Sequence, residues 1–361
     1  MIVRFTRPRP DQDARFYTVL FHALRRHHSV GWTDRAGPVE PARPAADRPH
    51  EGLWAWFDDV PVFFDMSDHV FLFDAAALDG AEVYFKANLH RGVARRALEQ
   101  MGRSQALDKL EPFLFLPPRL SRIRRWAAWT EAWAPRTVPR TDICHIVGVY
   151  ENRIRDGESS PLQAPDTMPP LSPAAEHFWV RWETSRALAE AGLSGPRRLV
   201  SRGRRELEDG RHVHPNLAPP RFFFEIWRAR FAVVNTLPHA LLPWKALEAL
   251  ALGRPLALDV APRVEMPAPF RLEPDRHFIE LWPGLGDFDA EAPLDDPRSY
   301  RLLRPLRREA LAAGVAKLKE VLRDRSRLEA MEAAVKDYGR TALAPRAIAD
   351  YIADRVGRRR G

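Results

Sequence analysis

The stretch from Phe231 to Asp259, FAVVNTLPHALLPWKALEALALGRPLALD, decides the fold. An apolar, β-branched run ends at Asn235, a loop of small and polar residues follows, and Pro243 opens a segment of helical spacing that Gly253 closes. Proline at the start of a helix and glycine just past its end are what those positions favour. PLALD then begins a second strand, so the stretch reads as strand, helix, strand, the unit that requires a parallel sheet.

In such a unit the start of the helix faces the strand ends, where unpaired N–H groups and the positive end of the dipole attract a phosphate. Lys245 and Glu248 lie three apart on one helical face, so both can look toward the same ligand. A lysine there can neutralise a diphosphate, and a carboxylate can accept two ribose hydroxyls. Thr236 in the loop and Pro243 and Trp244 at the helix start complete this candidate binding set.

Working outward, the second half of the chain repeats the alternation. ICHIVGVY (143–150) is a strand, a Pro/Ser-rich loop follows (156–173), and HFWVRWETSRALAEAGL (177–193) is a helix ending at Gly192. Next come the strand RRLVS (197–201) and the helix-like RFFFEIWRAR (221–230). Strands alternating with helices predict a parallel sheet with ligands at the carboxyl ends of its strands. The tail from Leu306 to Val356 is helical, broken around TALAPRA (341–347).

The first half opens with a strand at residues 1–5 and a helix from Asp11 to His27, with Phe16, Val19, Leu20, Ala23 and Leu24 at helical spacing. After a Pro-rich loop (39–50), WAWFDD, VPVFFDMSD and VYFKANL read as buried parallel strands, and PFLFLPPRL as another. The prolines of APRTVPRTD (134–142) mark a boundary. The expected architecture is therefore α/β, two Rossmann-like domains facing a central cleft, with C-terminal helices. Residues 1–138 form the first domain, 139–335 the second, and 336–361 a terminal helix packing back toward the first.

At 361 residues two domains are the expected number, and 11 Trp and 19 Phe supply core material that argues against wholesale disorder despite 33 Pro. The net charge of +8 would suit an anionic partner. Arginine far outnumbers lysine, which is also how a GC-rich genome writes any surface, so the charge alone assigns nothing. Cys144 is the only cysteine, which excludes an internal disulfide. With no apolar signal core or membrane-spanning run, a cytoplasmic protein is expected.

The run P-x-K-x-x-E-x-x-x-x-G-x-P, here Pro243, Lys245, Glu248, Gly253 and Pro255, resembles the donor-binding signature of GT-B glycosyltransferases. The resemblance covers mainly residues 142–282, with FRLEPDRHFIEL (270–281) similar to the segment after the family's second donor strand. It implies a GT-B fold, a nucleoside-diphosphate sugar as donor substrate, no required cofactor and no metal. It places Glu248 on the donor ribose and Lys245 near the diphosphate. Many members carry a further glutamate about eight residues earlier; here that region is His239 and Ala240, so the paired-glutamate pattern is absent.

Glycosyl transfer must stabilise the charge of the departing diphosphate and orient an acceptor hydroxyl. Arg181 and Arg186, on the helix after the long loop, and Arg221 join Lys245 as candidate cations. FFDMSDH places Asp65, Asp68 and His69 at the carboxyl end of a strand, where a carboxylate or imidazole with its pKa moved toward neutrality could take the acceptor's proton. The alternate pair His212 and His214 lacks a third ligand, and no metal is assigned. Residues 119–133 carry Arg119, Arg122, Arg124 and Arg125 beside Trp126, Trp129 and Trp133, a composition able to rest peripherally on the inner, anionic face of a membrane. No nucleic-acid motif is present. The alternatives are a non-catalytic basic protein holding nucleic acid or a protein partner, and a GT-B fold epimerase or hydrolase of nucleotide sugars.

Overall fold

Each half of the chain builds a mixed α/β unit around one sheet in this computed structural model. The structure describes residues 1–7, 14–35, 37–38, 52–67, 70–114, 116–133, 140–148, 173–201, 205–206, 212–215, 218–236, 242–283 and 307–359. One unit comprises residues 1–121, 264–271 and 340–361, the other 122–263 and 272–339.

In the first unit the order along the chain is β1 (Ile2–Thr6), α1 (Ala14–Arg25), β2 (Ser29–Thr33), β3 (Gly52–Phe57), β4 (Val60–Asp65), α2 (Ala75–Gly80), β5 (Val83–Ala87), α3 (Arg91–Gln100) and β6 (Leu110–Phe113). The sheet runs β2-β1-β3-β4-β5-β6. β1 is parallel to β2, and β4, β5 and β6 are parallel to one another, but β3 is antiparallel to both β1 and β4. This corrects the expectation of parallel pairing for WAWFDD and VPVFFDMSD. Only Asp58 and Asp59 separate the two strands, enough for a hairpin and far too few for a parallel crossover. Asp58 takes a φ of 53° in the turn, and its carboxylate accepts the Ile2 N–H at 2.8 Å. β2 is an additional strand that sequence periodicity did not indicate.

The core of this unit is aromatic. Phe64 and Phe85 stack with centroids 5.0 Å apart, flanked by Phe5 and Phe113. On the opposite sheet face Trp54, Phe63 and Tyr84 pack with Leu78 and Leu98. The terminal helix α10 (Pro345–Gly357) closes the Phe85 side through Tyr351, whose hydroxyl donates to the Pro112 carbonyl at 2.6 Å.

The second unit contains β7 (Thr141–Gly148), α5 (Pro173–Glu190), β8 (Arg197–Ser201), β9 (Arg205–Glu206), β10 (His212–Pro215), α6 (Pro219–Arg228), β11 (Ala229–Val234), α7 (Trp244–Ala251), β12 (Leu256–Leu258), β13 (Phe278–Glu280) and α8 (Arg308–Arg323). α9 (Arg325–Thr341) follows. The sheet order is β13-β12-β11-β7-β8-β10-β9. Every pairing from β13 to β10 is parallel, and only the outer β9 runs antiparallel. The chain steps from β7 outward to β8 and β10, returns to β11 beside β7, and steps the other way to β12 and β13. That is the doubly wound Rossmann order, whose direction reverses between its first and fourth strands.

α7 forms as its composition dictates. Ala, Leu, Lys and Glu are strong helix formers, Pro243 stands at the N-cap, and Gly253 ends the helix with φ 70°. The Gly253 N–H reaches the Leu250 carbonyl at 2.9 Å and the Arg254 N–H reaches Ala249 at 3.0 Å, the paired bonds of a Schellman cap. Close approach also matters on the outer side. A β-carbon on Gly339 of α9 would sit 2.6 Å from the Leu250 carbonyl oxygen, so glycine lets α9 lie directly on the end of α7.

Candidate functional site

The reversal of strand order puts the carboxyl ends of β7 and β11 side by side, the position where open α/β sheets take ligands. α5 follows β7 and α7 follows β11, so each strand end is met by a helix of its own. From α5, Arg181 donates a hydrogen bond to the carbonyl of Gly148, the last residue of β7. From α7, Lys245 enters a narrow apolar pocket lined by Cys144 and Ile146 of β7, Ala232 and Val234 of β11, and Phe222 and Ile226 of α6. The free space there is about 20 Å³, room for roughly one water molecule. The ammonium sits 5.8 Å from the centre of the Phe222 ring, a cation–π contact.

The electrostatics follow from that placement. Burial among apolar side chains, helped by the positive charge of Arg181 and opposed by Glu248 and Cys144, pulls the Lys245 amine down to about 8. Glu248, one turn along α7, is buried and lies within reach of the Lys245 charge. Burial pushes the Cys144 thiol far up, so it stays protonated and unreactive at neutral pH.

Beneath the strand ends runs a buried polar chain. His145 of β7 meets the Asn235 side-chain oxygen through Nε2 at 3.0 Å, and the Asn235 amide donates to Asp259 at 3.3 Å. Asp259 also accepts the Thr236 N–H at 2.6 Å, the Thr236 hydroxyl at 2.7 Å and the Val260 N–H at 2.9 Å. Because the Asn235 amide donates to a carboxylate, its oxygen is left to accept, which makes Nε2 of His145 the protonated ring nitrogen. Burial pulls the imidazole down to about 4, so it is neutral near pH 7. The chain ties β7, through His145, to the ends of β11 and β12. Sequence reasoning named only Thr236 of it, although the polar residues that follow β11 and β12 and the histidine inside apolar β7 were the available signals.

The remaining sequence candidates fall as follows. Thr236 belongs to the polar chain, with its N–H and hydroxyl both engaged by Asp259. Pro243 is the N-cap of α7 rather than its first helical residue, and half-buried Trp244 is that first residue. Arg186 pairs with Glu183 at 2.8 Å and with Glu190 at 2.9 Å along the face of α5. Arg221 is exposed in the first turn of α6.

In the first unit, Asp65 ends β4 fully engaged. It accepts from Tyr84 at 2.7 Å, from Lys86 at 2.9 Å and from the Ser67 N–H at 2.9 Å. Burial alone would raise its pKa, but the Lys86 ammonium and these hydrogen bonds outweigh that and hold it below the usual carboxylate range. The expected shift of Asp65 toward neutrality is therefore reversed. Asp68, His69, His239 and Ala240 lie outside the described residues. Among the described residues no group of three or more His, Cys, Asp and Glu side chains comes together as a metal site, and no helix is long and apolar enough to cross a membrane.

No protein-family model and no curated protein matches the chain. Among solved structures it is similar to the HepE protein of Anabaena in complex with UDP-glucose, at 13% identity and a TM-score of 0.37. The match covers 78% of this chain and 65% of that protein, so this chain spans less than two thirds of its length. A likeness of that order assigns no ligand, and the architecture here rests on the strand pairings themselves.

Proposed function

We propose that the chain is a GT-B type glycosyltransferase that takes a nucleoside-diphosphate sugar at the carboxyl ends of β7 and β11 and passes the sugar to a hydroxyl acceptor without a metal. The observation that carries this reading is the grouping of Arg181, Lys245 and Glu248 at the reversal point of a Rossmann-ordered sheet. Two cations beside a helix N-terminus suit a diphosphate. A carboxylate one turn along the same helix suits the ribose hydroxyls. As the bond from the anomeric carbon to the diphosphate breaks, its electron pair goes to the phosphate oxygen, where Arg181 and Lys245 offset the new charge. The acceptor oxygen bonds to the anomeric carbon and loses its proton to a base. The sequence candidates for such a base are Asp65, which is held in an ion pair with Lys86, and Asp68 and His69.

Calorimetric titration with UDP, GDP, TDP and ADP is the test, and binding of at least one is expected; absence of all four sinks the reading. With the matching nucleotide sugar, Glu248→Ala should slow turnover about thirtyfold or more, the value of a hydrogen bond to a charged group at about 2 kcal/mol. Unchanged turnover would remove Glu248 from the site.

A further inference from the structure

We propose that the joint outer face of α4 (Leu120–Trp133) and α6 in the second unit is a docking surface for an anionic lipid bilayer. Residues 122–133 of α4 belong to that unit. Arg122, Arg125 and Trp129 are spaced by three and four, which places them on one helical stripe, and all three are exposed. Ile123 and Thr130, on the opposite stripe, are buried. α6 repeats the spacing with Arg221, Phe224 and Arg228. Trp129 is 59% exposed and Phe224 37%, two of the few large apolar side chains left in solvent among the described residues.

The two helices meet beside these stripes. Trp126 of α4 meets Trp227 of α6 edge-on with centroids 6.0 Å apart, and Phe224 lies 5.9 Å from Trp227. The Arg140 guanidinium, 5.6 Å from the centre of the Trp227 ring, adds a further cation beside this seam. Acidic groups nearby are already spoken for: Glu131 pairs with Lys336 at 3.6 Å, and Glu225 with Arg228 at 3.1 Å. Arg122, Arg125 and Arg221 are exposed, and none of them enters the ion pairs just described. Exposed guanidinium groups around two solvent-exposed aromatic rings match a surface of phosphate headgroups over acyl chains, since aromatic side chains settle at the interface while the cations meet anionic lipid.

This proposal does not rest on the nucleotide-sugar reading. Flotation with vesicles of phosphatidylcholine alone, and of phosphatidylcholine with phosphatidylglycerol in equal parts, tests it. The protein should float with the anionic vesicles only, and less so as salt rises. The variant carrying Arg122→Gln and Arg125→Gln should lose about twenty-five-fold in partitioning, at about fivefold per arginine. Trp129→Ala with Phe224→Ala should lower the residual binding that survives high salt. These positions are exposed, so unchanged circular dichroism and thermal unfolding are expected for both variants. Failure of the protein to float with either vesicle, or equal flotation of the arginine variant, overturns the proposal. So does salt-sensitive binding to a DNA duplex that the arginine variant loses while vesicles go unbound. Nucleotide titration of the same variant keeps the two proposals apart, because Arg122 and Arg125 are no part of the nucleotide site.

Discussion

At the scale of the residue, Lys245 is where sequence and structure say different things about the same side chain. The sequence resemblance puts it near a diphosphate, yet its amine lies in an apolar pocket over Phe222, with a pKa near 8. Two opposite pH effects follow. A diphosphate needs the charged amine, so nucleotide affinity should fall as pH rises through about 8. Stability should move the other way. The unfolded chain holds this proton to a higher pH than the folded one, so between the two pKa values the unfolded state binds more protons and stability rises with pH. Calorimetric titrations across that range should show the loss of affinity in the unaltered protein and a flat profile in Lys245→Arg, whose guanidinium stays charged. An unaltered protein with a flat profile would take Lys245 away from the phosphate.

At the scale of the element, β4 and β5 are joined by more than their ladder. Asp65 and Lys86 stand opposite in the parallel register, both buried, with Tyr84 and Ser67 completing their hydrogen bonds. Removing one partner of such a pair leaves a buried charge uncompensated, at about 3–5 kcal/mol. Lys86→Met should therefore lower the urea midpoint sharply, and adding Asp65→Leu should recover much of the loss. If Lys86→Met unfolds like the unaltered protein, Asp65 has other compensation and is again open to a catalytic role. The elements were legible to different degrees. β7, β11, α7 and β12 could be read because apolar runs are punctuated by Pro243 and Gly253. The β3–β4 hairpin was within reach, since only Asp58 and Asp59 part its strands, but β3 is buried at every position and the missing alternation gave it the look of a buried parallel strand. β2 is a short edge strand, mostly half-buried or exposed, and SVGWT offers too few apolar residues to show a period.

At the scale of the whole molecule, the two units carry different sheets, and only the second has the uninterrupted doubly wound order. Nucleotide binding should therefore be local. Under saturating nucleotide, amide exchange should slow at the carboxyl ends of β7 and β11 and in the first turn of α7, while the Asp65 end of β4 keeps its own rate. At about 100 times Kd the bound nucleotide should add about 2.7 kcal/mol to the stability of the unit that holds it. Protection confined to the first unit would contradict the assignment of the donor to the second.

The sequence by itself determined the α/β class, the strand–helix–strand unit around Pro243 and Gly253, and the sharing of one helical face by Lys245 and Glu248. These depend on neighbours a few residues apart, and local spacing fixes them. Tertiary structure decided which strands run antiparallel and that Arg186 is held by glutamates. It also decided that His145, Asn235 and Asp259 join across three strands, and that Lys245 turns into an apolar pocket between α6 and the sheet. The physical reason is that pairing, burial and charge compensation are set by groups brought together from far along the chain, 90 residues in the case of His145 and Asn235, and no local period records that meeting.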